Sequence, residues 1–341
     1  MAGKTFDAIG IGACNLDTVA FVRKFTECEE KINAFDYVPP RAAGVSLDAI
    51  TMLANLGMRC GFVGKRGDDY LGRVFDDEMR GDRIDLSCAM SLPGERTSLA
   101  WIQVKEDGER CHVMIPMSQN GMLKTSEMDE RRGYLRSARV CHMELLQNPV
   151  APLIRAAEIC REAGTLVSVD LDVAPCYLFQ CGYATEKELD TLLRQADILK
   201  ACKNAVPSLT SNRDMEKAAL DILAMGPRTV VITVGEKGCV VASRRDGAAI
   251  SGARGAAEDG VPVSVTVPAF ADGGIKDTTG AGDAFQGGFL YGVLKGWDLK
   301  KSAAFANACG YLKSLRVGAR NMPRLHEVEK FVKTKGWAGI S

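Results

Sequence analysis

Short apolar runs bounded by glycine alternate along the chain with longer stretches of helical spacing. Residues 6–12 form one such run and end in glycines, as a short buried strand does. Apolar positions over 47–56 recur at helical spacing and stop at Gly57, a C-terminal cap signal. Residues 59–63 then read as a strand. The runs 98–104 and 110–115 flank Asp107-Gly108, which predicts a hairpin. Residues 17–25 alternate less cleanly, and 33–38 read as a strand that stops before Pro39-Pro40.

From about residue 121 the rhythm changes. Strand-like runs at 139–145, 165–170, 198–201 and 229–234 alternate with helical patterns at 150–163, 187–195 and 214–224, and a further strand follows at 239–242. Such alternation predicts an α/β fold with a mostly parallel central sheet covered by helices on both faces. The early β segments do not fit that rhythm and read as a small projecting sheet. The expected division is an α/β body at 1–14, 41–94 and 121–341, with a β lid at 15–40 and 95–120. Residues 244–260, rich in Gly and Ala, read as a surface loop, and no internal repeat is visible.

Composition narrows the function classes. Among 341 residues, 43 basic side chains balance 43 acidic ones, so nothing points to nucleic acid or an anionic membrane. The 12 cysteines are scattered without a Cys-x-x-Cys pair, and His112, His142 and His326 are too dispersed for a zinc site. Reduced thiols, no leader-like start and no run of eighteen apolar residues give a cytoplasmic protein as the expectation.

The chemistry concentrates at Asp277-Thr278-Thr279-Gly280-Ala281-Gly282-Asp283. Small residues ahead of a helix expose backbone amides to an anion, and glycine lets the backbone approach it. Asp283, in the first turn, is placed to take a proton from a hydroxyl that attacks a phosphate. That pattern points to phosphoryl transfer to an alcohol. No Gly-x-x-x-x-Gly-Lys-Ser/Thr cradle is present to suggest the commonest alternative.

This run resembles the C-terminal signature of the ribokinase-like (PfkB) family of carbohydrate and nucleoside kinases, and other segments agree with the family in order. The resemblance implies that Gly280, Ala281, Gly282 and Asp283 form an anion hole with Asp283 as catalytic base. Asn15 and Asp17, in Gly12-x-x-Asn15-x-Asp17, match a sugar-binding pattern, since a carboxylate can accept from two hydroxyls. Gly44 and Asp48 match a second sugar-binding signature with two departures: Ala43 stands for the first Gly and Asp48 for an Asn. Two carboxylates in one site imply a neutral, hydroxyl-rich or amino-bearing substrate, because an acidic sugar would need a base such as Arg41 to offset repulsion.

Thr233, Gly235 and Gly238 resemble the family's nucleotide turn, although alone they equally describe an ordinary β-turn. The resemblance places Asn307 beside the adenine of ATP, and Thr279 at the cofactor site. It also places the 316–320 loop near a monovalent cation, K+, with Asp277 adding oxygens. Mg2+ accompanies the ATP. At 202 and 205, where many members carry Asn-x-x-Glu, this chain has Cys202 and Ala205. Glu144 and Gln147 end a strand where substrate contacts are expected.

The reading is an ATP-dependent kinase for a hydroxymethyl group of a small neutral sugar, with a homodimer through the lid as a candidate assembly. Three rivals stand beside it. One is a nucleoside kinase using Phe21, Tyr37 or Trp101 as an aromatic wall. Another is a catalytically weak binding protein, suggested by the four departures. The third is a nicotinamide enzyme resting on Gly10-x-Gly12.

Overall fold

The computed structural model describes residues 4–106, 109–244, 261–270 and 272–336. The chain opens with β1 (Phe6–Ile11), β2 (Asn15–Val22), β3 (Asp36–Ala43), α1 (Val45–Asn55), β4 (Cys60–Gly67), α2 (Tyr70–Met79), β5 (Ile84–Leu92), β6 (Leu99–Lys105) and β7 (Arg110–Ile115). Next come α3 (Thr125–Glu130), α4 (Arg132–Arg136), β8 (Ala138–Glu144), α5 (Val150–Glu162), β9 (Leu166–Leu171), α6 (Pro175–Gln180), α7 (Glu186–Gln195) and β10 (Ile198–Cys202). The last third holds α8 (Met215–Ala224), β11 (Thr229–Thr233), β12 (Cys239–Ser243), β13 (Val263–Val267), α9 (Ala281–Leu294), α10 (Leu299–Ser314) and α11 (Leu325–Thr334).

Nine strands form the central sheet in the order β13-β12-β11-β10-β9-β8-β1-β4-β5. The pairings from β11 through to β5 are parallel, while β12 and β13 run antiparallel at one edge. Burial on both faces explains the continuous apolar runs. In β1, Ala8 packs into one core while Ile9 and Ile11 enter the other; β4 splits Phe62 and Val63 the same way. Helices α1, α9 and α10 cover the first face, and α5, α7 and α8 the second. The expected α/β architecture is therefore the observed one.

Strands β3, β2, β6 and β7 make a separate four-stranded sheet in that order. The strand expected to stop before Pro39-Pro40 instead runs through both prolines to Ala43. Two features permit this. β3 is an edge strand, where a missing N–H costs no ladder bond, and the register slips there so that Thr18 opposes both prolines. The Thr18 hydroxyl donates to the Val38 carbonyl at 2.9 Å within this bulge. The β6–β7 pairing is antiparallel as expected, but the Asp107-Gly108 turn lies outside the described residues, as does nearly all of the loop read at 244–260.

The sequence reading passed over α2, β5, α3, α4, α6, β13 and α11. Helix α2 matters for the site because its Glu78 accepts from the Ala42 amide at 2.7 Å and pairs with Arg41 at 2.7 Å, anchoring β3. Among the described residues no helix is long and apolar enough to cross a membrane.

Candidate active site

Strand β1 lies between β4 and β8, so the chain winds outward from it in both directions. Ligands in open α/β sheets bind outside the C-terminal strand ends at such a reversal. The described surface has a cavity of about 600 Å³ there, which receives Asn15 beyond β1, Glu144 from β8, Asp172 beyond β9 and Cys202 from β10. The four-stranded sheet closes its outer side with Ala100, Ile102, His112 and Met114. A second cavity of about 540 Å³ adjoins it, lined by Thr233, Gly235, Gly238, Phe270, Asn307 and Tyr311 among others. Gly282, Thr278 and Arg110 line both cavities.

The first turn of α9 is thus the shared wall. Its N-cap, Gly280, has φ 78°, and a Cβ there would lie 2.4 Å from the Ala319 carbonyl oxygen, so only glycine fits. The Ala281 amide donates to Thr278 O at 3.1 Å, and that of Ala284 to Gly280 O at 2.9 Å. Helix geometry leaves the amides of Gly282 and Asp283 for an anion. Ala281 opens this turn, and its own amide is already committed to Thr278 O.

Asp283 lines the larger cavity and is partly buried. Burial pushes its carboxyl well above the usual range; Lys200 opposes that shift, and Asp48, Asp172 and Asp170 add to it. Lys200 was missed in the sequence, because a lone lysine in a strand carries no pattern. Its side chain is fully buried, with Nζ 3.0 and 2.9 Å from the two Asp170 oxygens and 3.7 Å from Asp172. A Cβ added to Gly282 would sit 3.3 Å from that ammonium.

The predicted sugar residues converge on the larger cavity. Asn15, Asp17, Gly44 and Asp48 all line it. Asn15 Nδ2 donates to Asp17 Oδ1 at 2.8 Å, and burial lifts the Asp17 carboxyl to about 7, with Asp277 adding to the shift. Gly44 has φ 145°, and a Cβ there would meet the Ala13 carbonyl at 2.6 Å. Asp48 is 3 % exposed and its Oδ1 has no hydrogen-bond partner. The base that faces it is Arg320, whose Nε lies 3.9 Å away and which also contacts Asp82. Arg41 does not serve that purpose, because it turns outward to Glu78.

Glu144 points inward: its two oxygens accept from the amides of Ala13 (2.8 Å) and Ser46 (3.0 Å), and burial raises its carboxyl to about 7. Gln147 also lines the cavity, with Oε1 unpartnered. At the departure from Asn-x-x-Glu, Ala205 is fully buried, and Cys202 Sγ donates to the Asp172 carbonyl at 3.2 Å. Polar groups are supplied there by Asp172 and Asn204 instead.

Among the predicted nucleotide residues, Thr233, Gly235, Gly238 and Asn307 line the smaller cavity. The Asn307 amide donates to the carbonyls of Val267 (3.1 Å) and Pro268 (3.0 Å), which spends its donors on holding that wall. Thr279 lies elsewhere, on the larger cavity, where its hydroxyl accepts from Arg110 at 2.7 Å. Arg110 belongs to β7, so this bond ties the outer sheet to the turn that opens α9.

The expected K+ ion does not fit the residues present. Asp277 Oδ1 accepts from the Thr279 amide and Oδ2 from the Gly318 amide, both at 2.8 Å. The Lys313 ammonium already holds the neighbouring carbonyls of Asp277 and Arg316, each at 3.2 Å. The dinucleotide reading of Gly10-x-Gly12 also fails, since β1 leads into strand β2 and not into a helix.

The profile of the pfkB family carbohydrate kinases matches residues 7–325. Fructokinase-2 of Zea mays is 30% identical over 81% of this chain and 80% of its own. The 5-dehydro-2-deoxygluconokinase of Geobacillus thermodenitrificans is 26% identical over 96% of this chain and 94% of its own. In fold, the chain is similar to Arabidopsis thaliana ribokinase complexed with ribose and ATP, with TM-score 0.75, 21% identity, and 96% and 99% of the two chains covered. The family match runs over nearly the whole length: this chain belongs to the pfkB family of carbohydrate kinases.

Proposed function

We propose that the protein transfers the γ-phosphoryl group of ATP to a hydroxymethyl group of a small neutral sugar, with Asp283 as general base. The observation that carries this is the shared wall. Gly282 lines both cavities while Asp283 lines only the larger, so donor and acceptor would meet across the first turn of α9. Asp283 would take the hydroxyl proton as the oxygen attacks phosphorus, and the Gly282 and Asp283 amides would hold the equatorial oxygens. Lys200 adds positive charge behind that turn.

Mg2+ fits the oxygen donors available. The exposed Asp172 carboxylate and the Asn204 amide are hard ligands on the cavity wall, and among the described residues no cluster forms a dedicated metal cage. An ion carried mainly by ATP phosphates and water needs little more.

The cavity wall favours a sugar over a nucleoside. Strand alternation turns Ala100 and Ile102 inward and leaves Trp101 42 % exposed, while Tyr37 is 67 % exposed. Phe21 lines a different cavity, so the three aromatics that a base would stack on are not assembled. A neutral substrate suits the acceptors Asn15 Oδ1, Asp48 Oδ1 and Gln147 Oε1, which accept no hydrogen bond from the protein and can receive donating hydroxyls. We also propose that the outer sheet pairs with a second copy, since Phe35, Tyr37, Val113 and Ile115 leave it an exposed apolar face. Sedimentation velocity showing only monomer would remove that part.

The decisive assay is MgATP-dependent ADP release over neutral sugars, sugar acids, amino sugars and nucleosides. A neutral sugar should turn over, and Asp283→Asn should lower the rate by about 10²–10⁴-fold, the usual size of general-base assistance. Preferred turnover of a sugar acid would overturn the substrate class, and activity untouched by Asp283→Asn would overturn the mechanism.

A further inference from the structure

The segment before α9 and the loop after α10 are bound together around one buried cation. Lys313, in the last turn of α10, has no solvent exposure. Its ammonium donates to the carbonyls of Asp277 and Arg316, at 3.2 Å each, and lies 3.9 Å from Asp277 Oδ2. Three directions of the ammonium thus face oxygen, two neutral and one charged. The same two segments are joined by backbone bonds from the Lys276 and Asp277 amides to Ser314 O, at 2.8 and 3.1 Å. Asp277 completes the join by accepting from the Gly318 amide.

This is the set of oxygens that a monovalent cation would use. Backbone carbonyls and a carboxylate at the end of a helix favour positive charge, whether brought by an ion or a side chain. We propose that the Lys313 ammonium is a built-in substitute for the alkali ion, so that the anion hole of this chain forms without K+. The consequence for the site is direct. Ala319, one residue beyond Gly318, has its carbonyl against Gly280, the N-cap of α9. A charge that holds the 316–319 loop therefore holds the turn whose amides receive the phosphate. Desolvation lowers the Lys313 pKa from its ordinary value, and the carboxylates of Asp277, Asp48 and Asp283 act to keep the proton on.

A tethered ammonium differs from a free ion in two respects. It cannot be diluted away, and it leaves no room for K+ while its four-carbon stem fills the approach. The inference rests on the kinase reading for its catalytic meaning, yet its ligand test does not need turnover. Thermal melting and MgATP-binding calorimetry on the full chain would be compared in potassium chloride and N-methylglucamine chloride at equal ionic strength. Melting temperature and ATP affinity should agree between the two salts, and so should kcat with any sugar that turns over. A rise of more than about twofold in affinity or kcat with K+ would overturn the proposal, as would a melting temperature raised by K+ and not by N-methylglucamine.

Substitution supplies the positive arm. Lys313→Ala opens the stem's volume while keeping the carbonyls, so ATP affinity should fall and be restored by K+ or ammonium ion. Lys313→Met keeps the volume without charge and should fall without rescue. Normal ATP affinity in Lys313→Met in the absence of K+ would overturn the role of the charge. If both variants fail to fold, the two-salt comparison on the unaltered chain still decides. Loss of all sugar turnover would count against the kinase reading alone, because melting and ATP binding report on the cation independently.

Discussion

Lys200 and Asp170 form a buried ion pair at 2.9 Å, on adjacent parallel strands, behind the glycine turn that opens α9. Burial alone would drive the Asp170 carboxyl up and the Lys200 ammonium down. The pair holds Asp170 at about 6, while Lys200 is raised above its ordinary value by Asp170, Asp172 and Asp283 together.

Lys200→Met should shift the acidic limb of the kcat/KM profile to higher pH, because Asp283 loses the ammonium that lowers its pKa. The sugar KM should change little. The single variant also leaves Asp170 buried without its partner, at a cost of roughly 3–5 kcal/mol. A double variant, Lys200→Met with Asp170→Leu, should recover much of that stability and keep the shifted limb. An unshifted limb in both would show that Lys200 is structural only.

Arg110 binds the outer sheet to the turn that opens α9 through Thr279. A charge-assisted hydrogen bond of this kind is worth about 1.5–3 kcal/mol. Arg110→Ala should therefore lower kcat/KM for ATP by about ten- to a hundredfold, as measured by steady-state kinetics. Thr279→Val should give a smaller loss, since the arginine still lines both cavities.

His142 is fully buried, with Nδ1 3.1 Å from Ser168 Oγ, and desolvation followed by Lys200 lowers its pKa to about 3. The unfolded chain takes up this proton near pH 6.5, whereas the folded chain refuses it until about pH 3. Stability from this group is therefore present above pH 6.5 and lost as pH falls. The loss by pH 5 is about 2 kcal/mol, from the linkage relation. Urea unfolding at pH 7.5 and 5 should show His142→Gln losing less stability on acidification than the unaltered chain.

Much of this molecule can be read locally. The alternation of short apolar runs with helical spacing at 139–234 states a parallel sheet, since each strand there is buried on both faces and each helix on one. The Asp277–Asp283 run states the turn that opens α9, since small residues entering a helix expose its first amides wherever they occur. Asn15 and Asp17 at the start of β2, and Gly44 and Asp48 at the start of α1, came together on one cavity. Where local reading went astray, a neighbour was responsible. Pro39-Pro40 did not end β3, because edge position and a bulge removed the need for their amides. Thr279 turned to the larger cavity, where its hydroxyl accepts from Arg110.

The order of motifs and the type of each element were determined by the chain's own periodicity and glycines, through steric and hydrogen-bonding rules that act over a few residues. The charges around the site were not. Lys200, Arg320 and Lys313 have meaning only opposite Asp170, Asp48 and Asp277, which lie 30, 272 and 36 positions away along the chain. A buried cation is stabilised by whichever oxygens surround it once water is excluded, and that set exists only after the sheet, its helices and the 316–319 loop have closed around it.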